Sequence, residues 1–194
     1  MRLLFPSLIH EFEVTGFKKI QDELIDFIYQ DKKNDKLGVV KSNRGGWHSR
    51  DFGSDNILVS TVKSEVSKYF LTNRIFREGT IIKFGNIWAN INKKGDYNDK
   101  HIHPGFDLSG VFWIKIPDDS GTIVFSSPNH YTQFYNETCY TDAIKERFNL
   151  SSTYWIKPLE GAIIIFPSVI EHQVDMNMNE SNKDRISVSF NLKL

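Results

Sequence analysis

His101-Ile102-His103 sets two imidazoles two residues apart. In an extended strand residues i and i+2 point to the same face, so both rings can converge on one ion. Imidazole is a favoured ligand for iron, zinc, copper and nickel. A third candidate, His172, lies 69 residues beyond His103 (172 − 103), and Arg185 follows thirteen residues later (185 − 172), with Ser187 two beyond it. The chain has six histidines, and three of them stand where a metal site would need them. A His-x-His pair alone is also what two solvated surface residues look like.

These residues need elements to position them. Phe17, Ile20, Leu24, Phe27 and Ile28 recur at helical spacing and predict an amphipathic helix over residues 16–30. A second helix is expected over 60–72, with Ser60 as its cap and Val62, Val66, Tyr69 and Phe70 on its apolar face. From about Gly79 short β-type runs alternate with turns. Strands are expected at 81–92, near 101–103, and at 108–116, 122–125, 154–156, 162–166, 171–174 and 185–192. Residues 129–151 suit a lid or a helical insertion better than a strand. Many short strands with regular breaks point to a sandwich or barrel.

The last strand has two unlike faces: Arg185, Ser187, Ser189 and Asn191 on one, Ile186, Val188, Phe190 and Leu192 on the other. If the helices cover the apolar face, Arg185 and Ser187 point into a barrel interior, where an arginine requires an anionic partner. The alternative is a solvated polar side.

At 194 residues, 40% of them hydrophobic, the chain is expected to form one domain (1–194), mainly helical over 1–78 and β over 79–194. The 24 basic and 24 acidic residues cancel, and no Lys/Arg block stands out, so nothing points to nucleic acid or an anionic membrane as partner. The single cysteine, Cys139, excludes an intrachain disulfide and suits a reducing compartment. The apolar run in residues 1–6 is too short for a signal peptide, and no stretch approaches the ~20 apolar residues of a membrane span. A cytoplasmic protein is the expectation; the sequence is silent on oligomeric state.

In order along the chain, His101 and His103, the Gly161–Pro167 strand, His172, and Arg185-Ile-Ser187 resemble the double-stranded β-helix dioxygenases dependent on Fe(II) and 2-oxoglutarate. The resemblance covers roughly Ile81 to Leu192. Trp88-Ala-Asn90, Leu108-Ser-Gly-Val-Phe-Trp113 and Arg185–Asn191 are similar to a branch of 2-oxoglutarate–Fe(II) oxygenases found in bacteria and their viruses. The resemblance implies a jelly-roll barrel with helices on its outer sheet face. It also implies iron held by His101, His103 and His172, and 2-oxoglutarate held at its far carboxylate by Arg185 and Ser187. The implied reaction decarboxylates 2-oxoglutarate oxidatively and couples this, with O₂, to oxidation (as a rule hydroxylation) of a small-molecule or peptide substrate.

The chain departs from that family at one point. The usual triad is His-x-Asp/Glu with a distal histidine, and His103 occupies the acid's position. Asp99 and Asp107 are the alternative third ligands, though neither has the i, i+2 relation to His101. Gly95, His101-Ile-His103 and Asp107 with Gly161, Pro167 and His172 also approximate a cupin pattern, which implies a three-histidine metalloenzyme without 2-oxoglutarate. A non-catalytic ligand-binding barrel is the third reading.

The other histidines, His10, His48 and His130, read as surface or hydrogen-bonding residues, His48 with some chance of touching substrate. Trp88 and Trp113 read as core. Asn90, whose buried amide would need partners, is a candidate 2-oxoglutarate contact. Gly45-Gly46 reads as a flexible turn, not a phosphate loop, because no Lys-Ser/Thr follows. Cys139 reads as structural. Specificity is expected in loops 44–51 and 129–151, whose residues spell out no substrate class.

Overall fold

Leu24 and Ile28 are fully buried on the first helix, α1 (Phe17–Asn34), as are Leu58, Val62 and Val66 on the second, α2 (Ile57–Thr72). Both therefore need an apolar surface to lie on. The computed structural model, which describes residues 6–53 and 55–194, supplies one. Residues 1–5 and the side chains of residues 130–134, His130 included, lie outside the described residues. Helix α1 runs one turn past the expected end, and Lys32 and Lys33 in that turn complement its C-terminal dipole. Helix α2 begins three residues early. Its cap is Asn56, whose side chain accepts the Val59 N–H at 2.9 Å; Ser60 lies inside the first turn and returns its hydroxyl to the Asn56 and Ile57 carbonyls.

Among the described residues the strands are β1 (His10–Glu13), β2 (Asn43–Arg44), β3 (Trp47–His48), β4 (Lys83–Asn92), β5 (Tyr97–His101), β6 (Leu108–Lys115), β7 (Ile123–Ser126), β8 (Thr153–Ile156), β9 (Ala162–Pro167), β10 (His172–Val174) and β11 (Arg185–Lys193). They pair antiparallel in two sheets, ordered β1-β9-β6-β11-β4-β3 and β2-β5-β10-β7-β8. The architecture is mainly β, with α1 and α2 on one face of the six-stranded sheet. The insertion at 129–151 is helical, as α3 (His130–Cys139) and α4 (Asp142–Phe148). Cys139 is exposed there, which removes its expected structural role.

Strands β1, β2 and β3 were not expected. Two of them are two residues long and form only because longer strands offer them an edge, a long-range pairing that leaves no local period.

Two clusters fill the interior. The larger packs Leu24, Ile28, Val62, Val66 and Phe70 against Ile87, Ile91, Phe112, Ile186, Val188 and Phe190. The smaller joins Trp113, Ile164 and Phe166 of one sheet to Ile123 and Phe125 of the other. Because the helices take the apolar side of β11, Arg185, Ser187, Ser189 and Asn191 face a cavity between the sheets.

The chain passes from one sheet to the other at Gly45-Gly46, between β2 and β3. Both glycines are left-handed (φ +67° and +65°), and a Cβ on Gly45 would overlap the Asp96 carboxylate while one on Gly46 would meet Ile91 O at 2.9 Å. Both glycines are exposed, and it is the close approach of Asp96 and Ile91 to the turn that excludes a side chain here.

The cap assignment is testable by urea unfolding. Asn56→Ala should destabilise the protein by ~1 kcal/mol, whereas Ser60→Ala, on an exposed hydroxyl, should stay within about 0.5 kcal/mol.

Candidate metal centre

His101 is the last residue of β5 and pairs across the sheet with His172, the first residue of β10. His103 is not in the strand. Pro104 has no N–H to extend a ladder and holds the preceding residue extended, so the chain leaves β5 after His101. The His103 N–H instead donates to Ser168 O at 2.9 Å, in the connection from β9 to β10. The ring centroids lie 5.0 Å (101–103), 4.4 Å (101–172) and 5.2 Å (103–172) apart. One ring nitrogen from each falls within 4.8 Å of the other two, and among the described residues this is the one group of three metal-competent side chains.

Backbone carbonyls orient two of the rings. His101 Nδ1 donates to Asp99 O at 2.7 Å and His172 Nδ1 to Ile170 O at 2.9 Å. A carbonyl can only accept, so in each neutral ring the hydrogen sits on Nδ1 and the Nε2 lone pair is free for an ion. The Ser42 hydroxyl stands 3.4 Å from that nitrogen of His101. Burial pushes the pKa of His172 down to about 3, helped by its imidazole neighbours, and that of His103 down to about 4; His101 is lowered for the same reason. The site thus holds three neutral imidazoles at neutral pH, the form that binds metal. Asp99 and Asp107 are engaged elsewhere: Asp99 pairs with Arg44, and Asp107 accepts the Leu194 N–H at 2.9 Å.

The cavity of about 900 Å³ has the three histidines on one side. Its opposite side is built from the inner faces of β11 and β4, where Arg185 pairs with Asn92, Ser187 with Asn90 and Ser189 with Trp88. Arg185 is 2% exposed. One of its terminal nitrogens donates to Ser120 O and to Asp175 O (2.9 Å); the other, Nη2, is buried without a partner. Burial lowers this guanidinium to about 10 while Asp96 and Asp175 hold it up, so it stays charged at neutral pH. Asn90 lies in the wall as expected, but its Nδ2 donates to Ser189 Oγ (3.3 Å) and the partnerless atom is the oxygen, Oδ1.

Two further wall residues correct the sequence reading. Trp88 is half-buried in the cavity wall and not core, its ring stacked on His48 (5.4 Å, 8°) and tilted toward His103 (5.8 Å). His48 is buried at 9% exposure. The alternation of Asn86, Trp88, Asn90 and Asn92 with Ile87, Ala89 and Ile91 could have placed Trp88 inside. His48 carries no such signal, since its place depends on the register of β3 on β4. Trp113 does pack in the core as expected.

A family model described as "Putative 2OG-Fe(II) oxygenase" matches residues 86–191, a span that includes the three histidines, Arg185 and Ser187. No curated protein matches the chain. Among solved structures, a prolyl-4-hydroxylase from Pseudomonas putida aligns with 95% of this chain and 91% of its own at 11% identity and a TM-score of 0.62. A Trichoplax adhaerens prolyl hydroxylase, in complex with a hypoxia inducible factor peptide fragment, aligns over 95% of this chain and 83% of its own (12% identity, TM-score 0.64). HygX from Streptomyces hygroscopicus, with nickel and 2-oxoglutarate bound, does so over 96% and 83% (9% identity, TM-score 0.60). At these identities the likeness is one of fold.

The lowered imidazoles tie stability to pH in the metal-free protein. An unfolded histidine titrates near 6.5, the native rings of His103 and His172 near 4 and 3. Between these values the unfolded state binds more protons, so stability rises with pH. It is fully present above about 6.5 and is lost as pH falls toward 4 and below. Denaturant unfolding at several pH values should show this slope, and it should be shallower in the double variant His103→Gln/His172→Gln.

Proposed function

Since the chain belongs to this 2OG-Fe(II) oxygenase family, we propose that it is an Fe(II)- and 2-oxoglutarate-dependent dioxygenase that oxidises, by hydroxylation, a small-molecule or peptide substrate with O₂. We read the two sheets as the double-stranded β-helix of that superfamily and residues 1–194 as one domain. The likeness to the prolyl hydroxylases and HygX supports both readings. No helix among the described residues is long and apolar enough to cross a membrane.

One observation carries the assignment. Arg185 places a charged guanidinium at 2% exposure in the cavity wall with one nitrogen unsatisfied. The Ser120 and Asp175 carbonyls and the nearby charges of Asp96 and Asp175 stabilise part of it, and for the nitrogen left without a partner a carboxylate is the acceptor that matches a guanidinium fork. In this reading Arg185, with the Ser187 hydroxyl one row along the sheet, receives the distal carboxylate of 2-oxoglutarate. The keto acid end is then directed across the cavity toward the histidines.

His101, His103 and His172 fit an iron ion by donor type, by neutrality and by the carbonyls that fix two of their tautomers. When bound, Fe(II) supplies the O₂ chemistry that oxidises 2-oxoglutarate to succinate and CO₂ and the substrate with it. The chain's own part is to hold the ion, to anchor the co-substrate through Arg185, and to shelter the reaction between two sheets. With no carboxylate among the proposed ligands, the bound ion keeps its full double charge. The carboxylate of the keto acid end would then offset one of those charges, since the distal carboxylate is taken by Arg185, which Asp96 and Asp175 also face.

The three-histidine set also supports a second reading, a cupin-type metalloenzyme that uses no 2-oxoglutarate. Arg185 separates the two. Under the oxygenase reading, protein loaded anaerobically with Fe(II) binds 2-oxoglutarate, and on exposure to O₂ it forms succinate; His172→Ala abolishes both. Arg185→Ala should weaken 2-oxoglutarate binding by ~1.5–3 kcal/mol, the net worth of a hydrogen bond to a charged group. Unchanged 2-oxoglutarate binding in Arg185→Ala would favour the cupin-type enzyme.

A further inference from the structure

His48 comes from outside the span matched by the family model, yet it lines the same cavity as the three histidines. Strand β3 carries it onto the edge of β4, where His48 lies opposite Asn90. The next residue is fixed from both sides: Ser49 N donates to Ala89 O, and Ala89 N donates to the Ser49 hydroxyl, each at 2.9 Å. The Ser49 carbonyl so held accepts the His48 Nδ1–H at 2.6 Å. That hydrogen bond fixes the tautomer, because a carbonyl cannot donate, and it leaves Nε2 as a lone-pair acceptor. Burial lowers the pKa of His48, which keeps the ring in this neutral form.

Among the described residues no hydrogen bond reaches His48 Nε2, and the ring lines the cavity, while its cross-strand neighbour Asn90 carries a buried acceptor without a partner, Oδ1. 2-Oxoglutarate at neutral pH offers only acceptors, so it can satisfy neither. The ring of His48 is stacked on Trp88, and Trp88 in turn touches His103, so a group held against this pair lies beside the proposed metal ligands. The cavity, near the upper end of the ~300–1,000 Å³ typical of small-molecule sites, has room for more than a five-carbon diacid.

We propose that Trp88 and His48 form the primary-substrate subsite, and that its occupant presents a flat or apolar ring to Trp88 and a hydrogen-bond donor, a hydroxyl or N–H, to His48 Nε2. The proposal rests on the oxygenase reading above. It assigns specificity to a residue of the N-terminal segment, while the co-substrate is held from the other end of the chain. A site whose acceptors face the bound group favours a ligand that carries the donor, because an analogue without it leaves them unpaired.

Phenol and fluorobenzene, nearly equal in shape but with and without a donor, are suitable probes. They are applied by equilibrium dialysis to protein holding Fe(II) and 2-oxoglutarate without O₂, with the charge-transfer absorption of the iron–2-oxoglutarate complex read in the same samples. The wild type should retain phenol roughly 3–10-fold better than fluorobenzene. His48→Phe should bring that ratio to about one, and His48→Gln, which keeps an acceptor, should restore part of it. A wild-type ratio near one, or a ratio that survives His48→Phe, overturns the proposal and leaves the oxygenase reading standing. If His48→Phe does not fold, Trp88→Leu decides: phenol retained as in the wild type overturns the proposal, and phenol lost supports it. Absence of the absorption band in the wild type overturns the oxygenase reading, and the proposal with it.

Discussion

Strand β11 lies between β6 and β4 in the six-stranded sheet, and its two faces cannot share one medium. Ile186, Val188, Phe190 and Leu192 are fully buried beneath α1 and α2. That burial fixes which way the strand faces, since a slip of one residue would exchange the two sets of side chains. Arg185, Ser187, Ser189 and Asn191 are therefore committed to the cavity. The helices take no part in the site, but they hold the arginine inside it. The larger apolar cluster is thus the condition for the polar one, and a buried guanidinium is tolerated because the packing behind it leaves no other choice.

The histidines are set by a different means. His101 and His172 meet because β5 and β10 are neighbours in the five-stranded sheet, and their rings are aimed by the carbonyls of Asp99 and Ile170. His103 reaches the same point from a turn that Pro104 begins, tied by its backbone to Ser168. The site is therefore divided between a rigid ladder and a loop. The Gly45-Gly46 crossing from β2 to β3 brings His48 to the cavity.

Exposed charged residues, Lys41, Arg44, Arg50, Asp51 and Lys100, line part of the cavity, and the buried part of its lining is mostly uncharged. Three imidazoles stay neutral because charging them there would cost desolvation, and the exception, Arg185, keeps its charge with two carboxylates near it but none hydrogen-bonded to its free nitrogen. That nitrogen is the donor to which the proposed function assigns a carboxylate. The acceptors of His48 and Asn90, on the adjoining strands β3 and β4, are the opposite case and call for a donor, so neighbouring parts of one wall ask for different chemistry.

Much of this was legible in the sequence because it is local or periodic. The helical spacing of Leu24 and Ile28, the alternation along β11, and the order of His101, His103, His172, Arg185 and Ser187 gave the fold class and the principal site candidates. The cap of α2 was misplaced because Ser60 and Asn56 are both good caps by type, and only the hydrogen bond to Val59 decides between them. A tryptophan beside apolar residues looks like core, and the packing of β4 turns Trp88 toward the cavity. Pro104 ends the ladder after His101, so His103 lies outside the strand. Strand register belongs to another category. That His48 faces Asn90, that Asn90 leaves its oxygen without a partner, and that Asp99 is taken by Arg44 depend on residues tens of positions apart. Sequence alone determined which chemical groups this protein has and the order in which it carries them. Tertiary structure decided which of them meet and which are left without a partner, because pairing between distant strands and the loss of water around a side chain are properties of the packed chain and not of any segment of it.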